Sequence, residues 1–152
     1  MGQIAHLKRI DQATFEEVLT LEEHPSAILE ALDVDKNWDA IMYILGRGFI
    51  GREPTVNLFM PKNMVVLYED EYLQDGIRYH NEQEISELYD VLKNFDVINE
   101  LDKLKVEMMN KKIAYPIEVN SLSAIAEQII TIRSMFASAV KENSIIIGGI
   151  EY

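Results

Sequence analysis

The side chains best suited to chemistry crowd around one glycine: Asp75, Arg78, Tyr79 and His80 flank Gly76 within six residues. They combine an ion-pair candidate, an aromatic ring and a titratable imidazole next to a helix start, a group able to line a pocket. A second set lies earlier. Trp38 and Tyr43 offer apolar walls and Asp39 a polar anchor, on a helix that runs into the glycine-containing stretch 46–63. One functional reading therefore is a small-molecule site, enzymatic or not, built from Trp38, Asp39, Tyr43, Asp75, Arg78, Tyr79 and His80. The plainer reading is that Asp75 and Arg78 brace a turn.

Two motif matches fail on their own chemistry. Gly46-Arg47-Gly48-Phe49-Ile50-Gly51 spells G-x-G-x-x-G, but a dinucleotide site needs that pattern to leave a strand and open a helix. Here it follows a helix, and Pro54 and Pro61 leave no room for another. Asp33, Asp35 and Asn37 open like a calcium loop, yet Trp38 replaces the required glycine and Ile44 the bidentate glutamate. Those acids are expected to cap the tryptophan helix instead. The absence of cysteine excludes thiolate metal sites, thiol nucleophiles and disulfides. No Walker loop, G-x-S-x-G elbow or H-E-x-x-H occurs, so neither metal nor cofactor is expected.

The elements that must position these residues follow from periodicity. Gln3 to Ile10 reads as a strand ending at an Asp11 N-cap, and Phe15, Val18 and Leu19 take helical spacing after it. Pro25 predicts a short helix carrying Ile28, Leu29 and Leu32. Trp38, Ile41, Met42 and Leu45 form one helical face, and Tyr43 with Ile44 makes the other side apolar, so this helix is expected to be central. The stretch 46–63 is a long loop, functional or mobile. Met64 to Tyr68 suits a strand or a short buried helix; Asp75-Gly76 signals a turn before an extended Ile77 to His80. Asn81 and Glu84 form a capping box for a helix burying Ile85, Leu88, Tyr89 and Leu92. Asp96 starts a helix with Val97, Leu101, Leu104 and Met108 inward, and Lys111-Lys112 near its end. Pro116 breaks the pattern. The longest helix runs from about Leu122 to Glu142 with Leu122, Ile125, Ile129, Phe136 and Val140 inward. Ile145 to Ile150 closes the chain as a strand, where Gly148-Gly149 implies a bulge or close backbone approach. At 152 residues the fold class is α+β: a single compact domain over 1–152, with a small sheet of N- and C-terminal strands covered by about six helices.

Charge is the strongest compositional signal. Twenty-six acidic against fourteen basic residues give a net charge of −12. Asp11 to Asp39 carries nine acids and one base, and Glu69 to Lys103 eleven acids and three bases, −8 in each. Such a surface repels nucleic acid and attracts a basic partner. No apolar stretch approaches a membrane span and no signal peptide precedes the chain, so the cytoplasm is the expected location.

The start Met1-Gly2-x-Ile4, the block from Leu32 to Ile41 (L-D-V-D-K-N-W-D-A-I), Leu73-Gln74-Asp75-Gly76, and Tyr115-Pro116 before a long helix and closing strand resemble the YfbM-like family. The resemblance implies a bacterial α+β domain without an established activity, so no catalytic residue carries over. Family members tend to have histidine where this chain has Met42, and threonine where it has Leu45, which weighs against catalysis. The leading functional expectation is therefore a non-enzymatic macromolecule-binding protein, one version being an immunity-type protein that neutralises a basic partner. Glu16, Glu17, Asp70, Glu71, Glu84, Glu87 and Asp90 would supply its acidic face. The small-molecule site near Trp38 and 46–63 is the competing expectation.

Overall fold

The closing run Ile-Ile-Ile-Gly-Gly-Ile is apolar at every position, the pattern of a strand covered on both faces. The computed structural model, which describes residues 4–49, 51–72, 74–111 and 119–151, places it at the centre of an antiparallel sheet. This strand, β5 (Ile145–Glu151), pairs with β1 (Ile4–Ile10) on one side and with β4 (Gln74–His80) on the other. The flanking strands β2 (Glu30–Asp35) and β3 (Asn63–Glu69) complete the order β2-β1-β5-β4-β3. Five α-helices surround it: α1 (Gln12–Leu21), α2 (Trp38–Leu45), α3 (Glu82–Leu92), α4 (Val97–Lys111) and α5 (Val119–Glu142).

Strand alternation divides the core. Ile145 and Ile147 join Ile10 and Ile77 beneath Phe15 and Val18 of α1. Ile146, with Ala5 and Leu7, meets α2 to α5 on the opposite face, where the main core gathers. Period two thus assigns neighbouring isoleucines to different layers.

Arg9 fastens the edges of these layers. Its side chain is buried, and it donates to Glu30 (3.1 Å), Glu142 (2.5 Å) and Ser144 (3.1 Å), tying β1 to β2 and to the junction of α5 with β5. The two carboxylates raise its pKa, outweighing burial, the largest single influence and one that acts to lower it.

The expected caps appear at Asp11, whose side chain accepts the Thr14 amide, and at Asn81 with Glu84, a reciprocal capping box. The Asp11 carboxyl is held below its usual pKa by the Thr14 bonds. Asp96 accepts the Asn99 amide at the start of α4 (3.2 Å). The helix α2 is buried on nearly every side, as its two apolar faces require, with Trp38 half-buried against the main core.

Five expectations change. The Pro25 segment forms no helix; it leads into β2, because Leu32 and Val34 alternate with exposed Asp33 and Asp35, a strand period. There are consequently five strands and five α-helices among the described residues, beyond a small terminal sheet under six helices. Asp33 and Asp35 belong to β2, and Asn37 makes no side-chain cap on α2; its amide donates to Gln128 (3.1 Å). Asp75-Gly76 lies inside β4, and the bend instead starts at Asp70, whose Oδ1 accepts the Tyr72 amide (2.8 Å). Val140 is 47 % exposed: the buried stripe of α5 runs through Ile132, Met135, Phe136 and Ala139, and Val140 falls outside that stripe, toward solvent. Met1, Gly2, Leu73, Lys112, Tyr115 and Pro116 lie outside the described residues, as does the side chain of Met108.

The 46–63 stretch is more ordered than its composition implies. Thr55–Asn57 form a 3₁₀ turn, and Thr55, Leu58 and Phe59 are buried. Its first glycine has a steric role: a Cβ on Gly46 would sit 2.0 Å from the Phe49 carbonyl oxygen and 2.9 Å from that of Met42. The chain doubles back there, with the Gly48 amide donating to Tyr43 O (2.9 Å). Gly46→Ala is expected to cost about 1–3 kcal/mol through forced backbone displacement, whereas Gly51→Ala, with open space around it, should change stability by less than about 0.5 kcal/mol. Urea denaturation of the two variants measures the difference.

Candidate functional site

The alternation of β4 splits the proposed chemical cluster. Tyr79 turns into the α1 layer, its ring 4.8 Å from that of Phe15. His80 turns the other way and is fully buried, with Nε2 2.9 Å from Leu58 O and its ring 6.0 Å from that of Phe136. Burial is the chief influence on this imidazole and lowers its pKa, against smaller opposing effects of the Leu58 carbonyl and Glu84. A neutral ring donating from Nε2 fits that environment, and Nδ1 has no hydrogen-bond partner among the described residues. His80 therefore reads as a core group. Tyr43 is also buried in the main core, in α2, as is the inner side of Trp38.

Asp75 and Arg78 instead both border a break in the sheet. β4 and β5 pair only at Arg78–Gly148, Tyr79–Ile147 and His80–Ile146. Beyond Gly148, β5 continues along β1 to the Ile4–Glu151 pair, while β4 continues along β3 to Gln74–Glu69. The strands part, leaving a cleft of about 700 Å³. His6, Lys8, Asp75, Arg78 and Glu151 line it, together with His24 from the segment after α1. His24 Nε2 lies 3.2 Å from Asp75 Oδ2, and Arg78 donates to Pro61 O (3.0 Å). Folding thus unites two histidines eighteen positions apart, which spacing alone could not pair.

Trp38, Asp39 and Tyr43 do not line this cleft. Nor do they line a smaller one of about 320 Å³ beside the 46–63 stretch, where Arg47 and Arg52 face Asp90 and Phe95. The seven candidates thus divide between α2, the two cores and the cleft.

The candidate acidic face is likewise distributed. Glu16 and Glu17 ride on α1, on one side of the sheet; Glu84, Glu87 and Asp90 ride on α3, on the other. Several have local duties: Glu17 accepts from Ser26, Glu84 closes the capping box, Glu87 accepts from Gln83, and Asp90 pairs with Lys93. Asp70 and Glu71 follow directly on β3.

Met64 to Tyr68, which the sequence left open between a strand and a short buried helix, belongs to the edge strand β3. None of its side chains is fully buried; Val66 and Tyr68 are 40 % and 52 % exposed, and Tyr72 just beyond is 89 % exposed. Tyr68 Oη donates to Asp70 (2.8 Å), a bond that raises its pKa. The other edge, β2, turns Asp33 and Asp35 outward, a charged guard against strand pairing. Along β3 the only charge is Glu69, at its end. At its start Asn63 is hydrogen-bonded to Glu84, and Lys62 pairs with Glu53 (3.6 Å).

Among the described residues no group of three or more His, Asp or Glu side chains could hold a metal ion, and no helix is long and apolar enough to cross a membrane.

An antiparallel five-stranded sheet with helices on both faces and a tryptophan helix after β2 defines the class. The family model for a domain of unknown function, DUF1877, matches residues 1–148, and the chain belongs to that family. Among solved structures it is similar to the crystal structure of YfbM from Escherichia coli, a protein of unknown function. The two share 16 % sequence identity and a TM-score of 0.66, over 98 % of this chain and 99 % of that one. This likeness establishes a common fold and agrees with the YfbM-like resemblance of the tryptophan segment. No match exists among curated proteins.

Proposed function

We propose that this protein is a non-enzymatic binding protein that captures an extended, basic segment of another protein by strand addition at β3. The observation that carries this reading is an edge strand, irregular in register between Val66 and Tyr68 but without charge before Glu69, whose exposed Val66 and Tyr68 lead directly into Glu69, Asp70 and Glu71. Main-chain donors and acceptors on such an edge give affinity, and alternate side chains give selectivity. The neighbouring carboxylates add attraction for Lys and Arg and speed encounter in a chain of net charge −12. Neutralisation of a basic toxin is one biological form this would take.

Selection of random displayed peptides on the immobilised protein tests it. Sequences alternating apolar residues with Lys or Arg are expected to be enriched, and their binding to fall as salt rises. Val66→Lys installs the missing guard charge and should weaken binding at least about tenfold, or ~1.4 kcal/mol. Its cost to the fold should stay within about 0.5 kcal/mol, because the side chain is already exposed. Enrichment of acidic peptides, or equal binding to Val66→Lys, would refute strand addition at β3.

A further inference from the structure

Lys8 and Arg78 are two cations without an acidic partner among the described residues. Acids outnumber bases 26 to 14, and Arg9, Lys62, Lys93, Lys103 and Lys105 all form ion pairs. Lys8 and Arg78, like Arg47, Arg52, Arg133 and Lys141, form none among the described residues, and these two line the cleft where β4 parts from β5. Arg78 spends one donor on the neutral Pro61 carbonyl, leaving most of the guanidinium fork unused.

The register fixes their spacing. Lys8 stands opposite Ile147, and Arg78 opposite the next residue, Gly148. They therefore flank β5 from strands about 10 Å apart, two inter-strand distances. Successive register positions alternate between sheet faces, so Lys8 and Arg78 border the cleft from opposite faces of the sheet. Two glycines allow close packing along its wall. A Cβ on Gly149 would lie 3.2 Å from the His6 ring, and one on Gly76 2.9 Å from Val65 O.

The rest of the lining sets the ligand class. Two carboxylates are present: Asp75, engaged with His24 at 3.2 Å, and Glu151, exposed to water. Ile28, Met60, Met64 and Ile150 supply apolar wall. About 700 Å³ lies within the range of small-molecule sites.

We propose that the cleft between β4 and β5 binds a small organic anion with an apolar body, its charged head drawn by Lys8 and Arg78 and its body lying against the methionine and isoleucine side chains. This site is separate from the β3 edge, and its test does not depend on strand addition there.

The experiment is an NMR titration of the whole chain with hexanoate, hexyl phosphate, hexanol and hexylamine. The amides of Gly76, Gly148 and Gly149 report on the cleft. Hexanoate or hexyl phosphate should shift them along a saturable curve at millimolar concentration; which of the two binds tighter separates a carboxylate from a phosphate head. Hexanol and hexylamine should bind at least about tenfold more weakly, since each lacks the charge-assisted bond. Lys8→Met keeps the aliphatic stem and removes only the charge, so it should weaken the anion about tenfold while leaving thermal unfolding unchanged. Arg78→Met should do the same; because it also removes the Pro61 bond, Lys8→Met decides if that variant unfolds. The proposal is overturned if neither anion gives saturable shifts, if hexylamine binds as tightly, if the shifts fall outside the cleft, or if Lys8→Met binds like the parent.

Discussion

Phe59→Ala is expected to lower stability by about 3–5 kcal/mol, a large share of the 5–15 kcal/mol available to a domain of this kind. Phe59 has no exposed surface and belongs to the main core, although it lies within a stretch whose sequence reads as loop. Its backbone also matters: the Phe59 carbonyl oxygen passes close over β5 at Gly148, and the preceding Leu58 carbonyl holds His80. Truncation would open a cavity that neither the sheet nor α2 can refill without moving. The corresponding fall in Tm is on the order of 10 °C for a chain of this length. Phe49 in the same stretch is 61 % exposed, its ring 4.8 Å from the Arg52 guanidinium carbon. Phe49→Ala should therefore cost less than about 0.5 kcal/mol. Chemical denaturation of both variants reads the contrast; similar losses for the two would contradict the packing of 58–59 as core.

That contrast explains why the 46–63 stretch misled. Glycines at 46, 48 and 51 and prolines at 54 and 61 break every periodic template, and burial there depends on tertiary contacts alone. By comparison α2, α3, α5 and β5 were legible because each carries its own period or an unbroken apolar run. The same limit applies to β2. Ile28, Leu29 and Leu32 satisfy a helical spacing, yet Leu32 and Val34 alternate with Asp33 and Asp35, and pairing with β1 decides in favour of the strand.

The candidate sites separate along similar lines. Residues close in sequence, such as Asp75 to His80, invite grouping, but a strand sends its neighbours to opposite faces. Arg78 and His80 share a face, and Tyr79 between them lies in another core. The cleft and the β3 edge have no local signature. The first needs β4 and β5 to pair at one end and part at the other. The second needs β3 to be last in the sheet order. Both are facts of topology. The missing ion pairs of Lys8 and Arg78 likewise appear only once the partners of the other cations are known.

His80 supplies the second large effect, through pH. An unfolded chain takes up a proton on histidine around pH 6.5, while burial holds the folded imidazole neutral to lower pH. Below about pH 6.5 the unfolded state therefore binds more protons at this position than the folded state does. Stability must then rise with pH in this window, and fall as the solution is acidified, by up to ~1.4 kcal/mol per pH unit. The decline continues until pH reaches the depressed folded value; above pH 6.5 the contribution is constant. His80→Leu isolates it. At neutral pH the variant should be less stable by about 1–3 kcal/mol, because the buried Leu58 carbonyl loses its donor. It cannot take up the proton, so the deficit should shrink on acidification as the parent loses its advantage. The carboxylates, common to both proteins, cancel from the difference. Unfolding free energies of the pair at successive pH values between neutrality and pH 5 measure the convergence. Parallel curves would mean that the His80 ring is solvated in the folded state, and would remove the ground for placing it in the core.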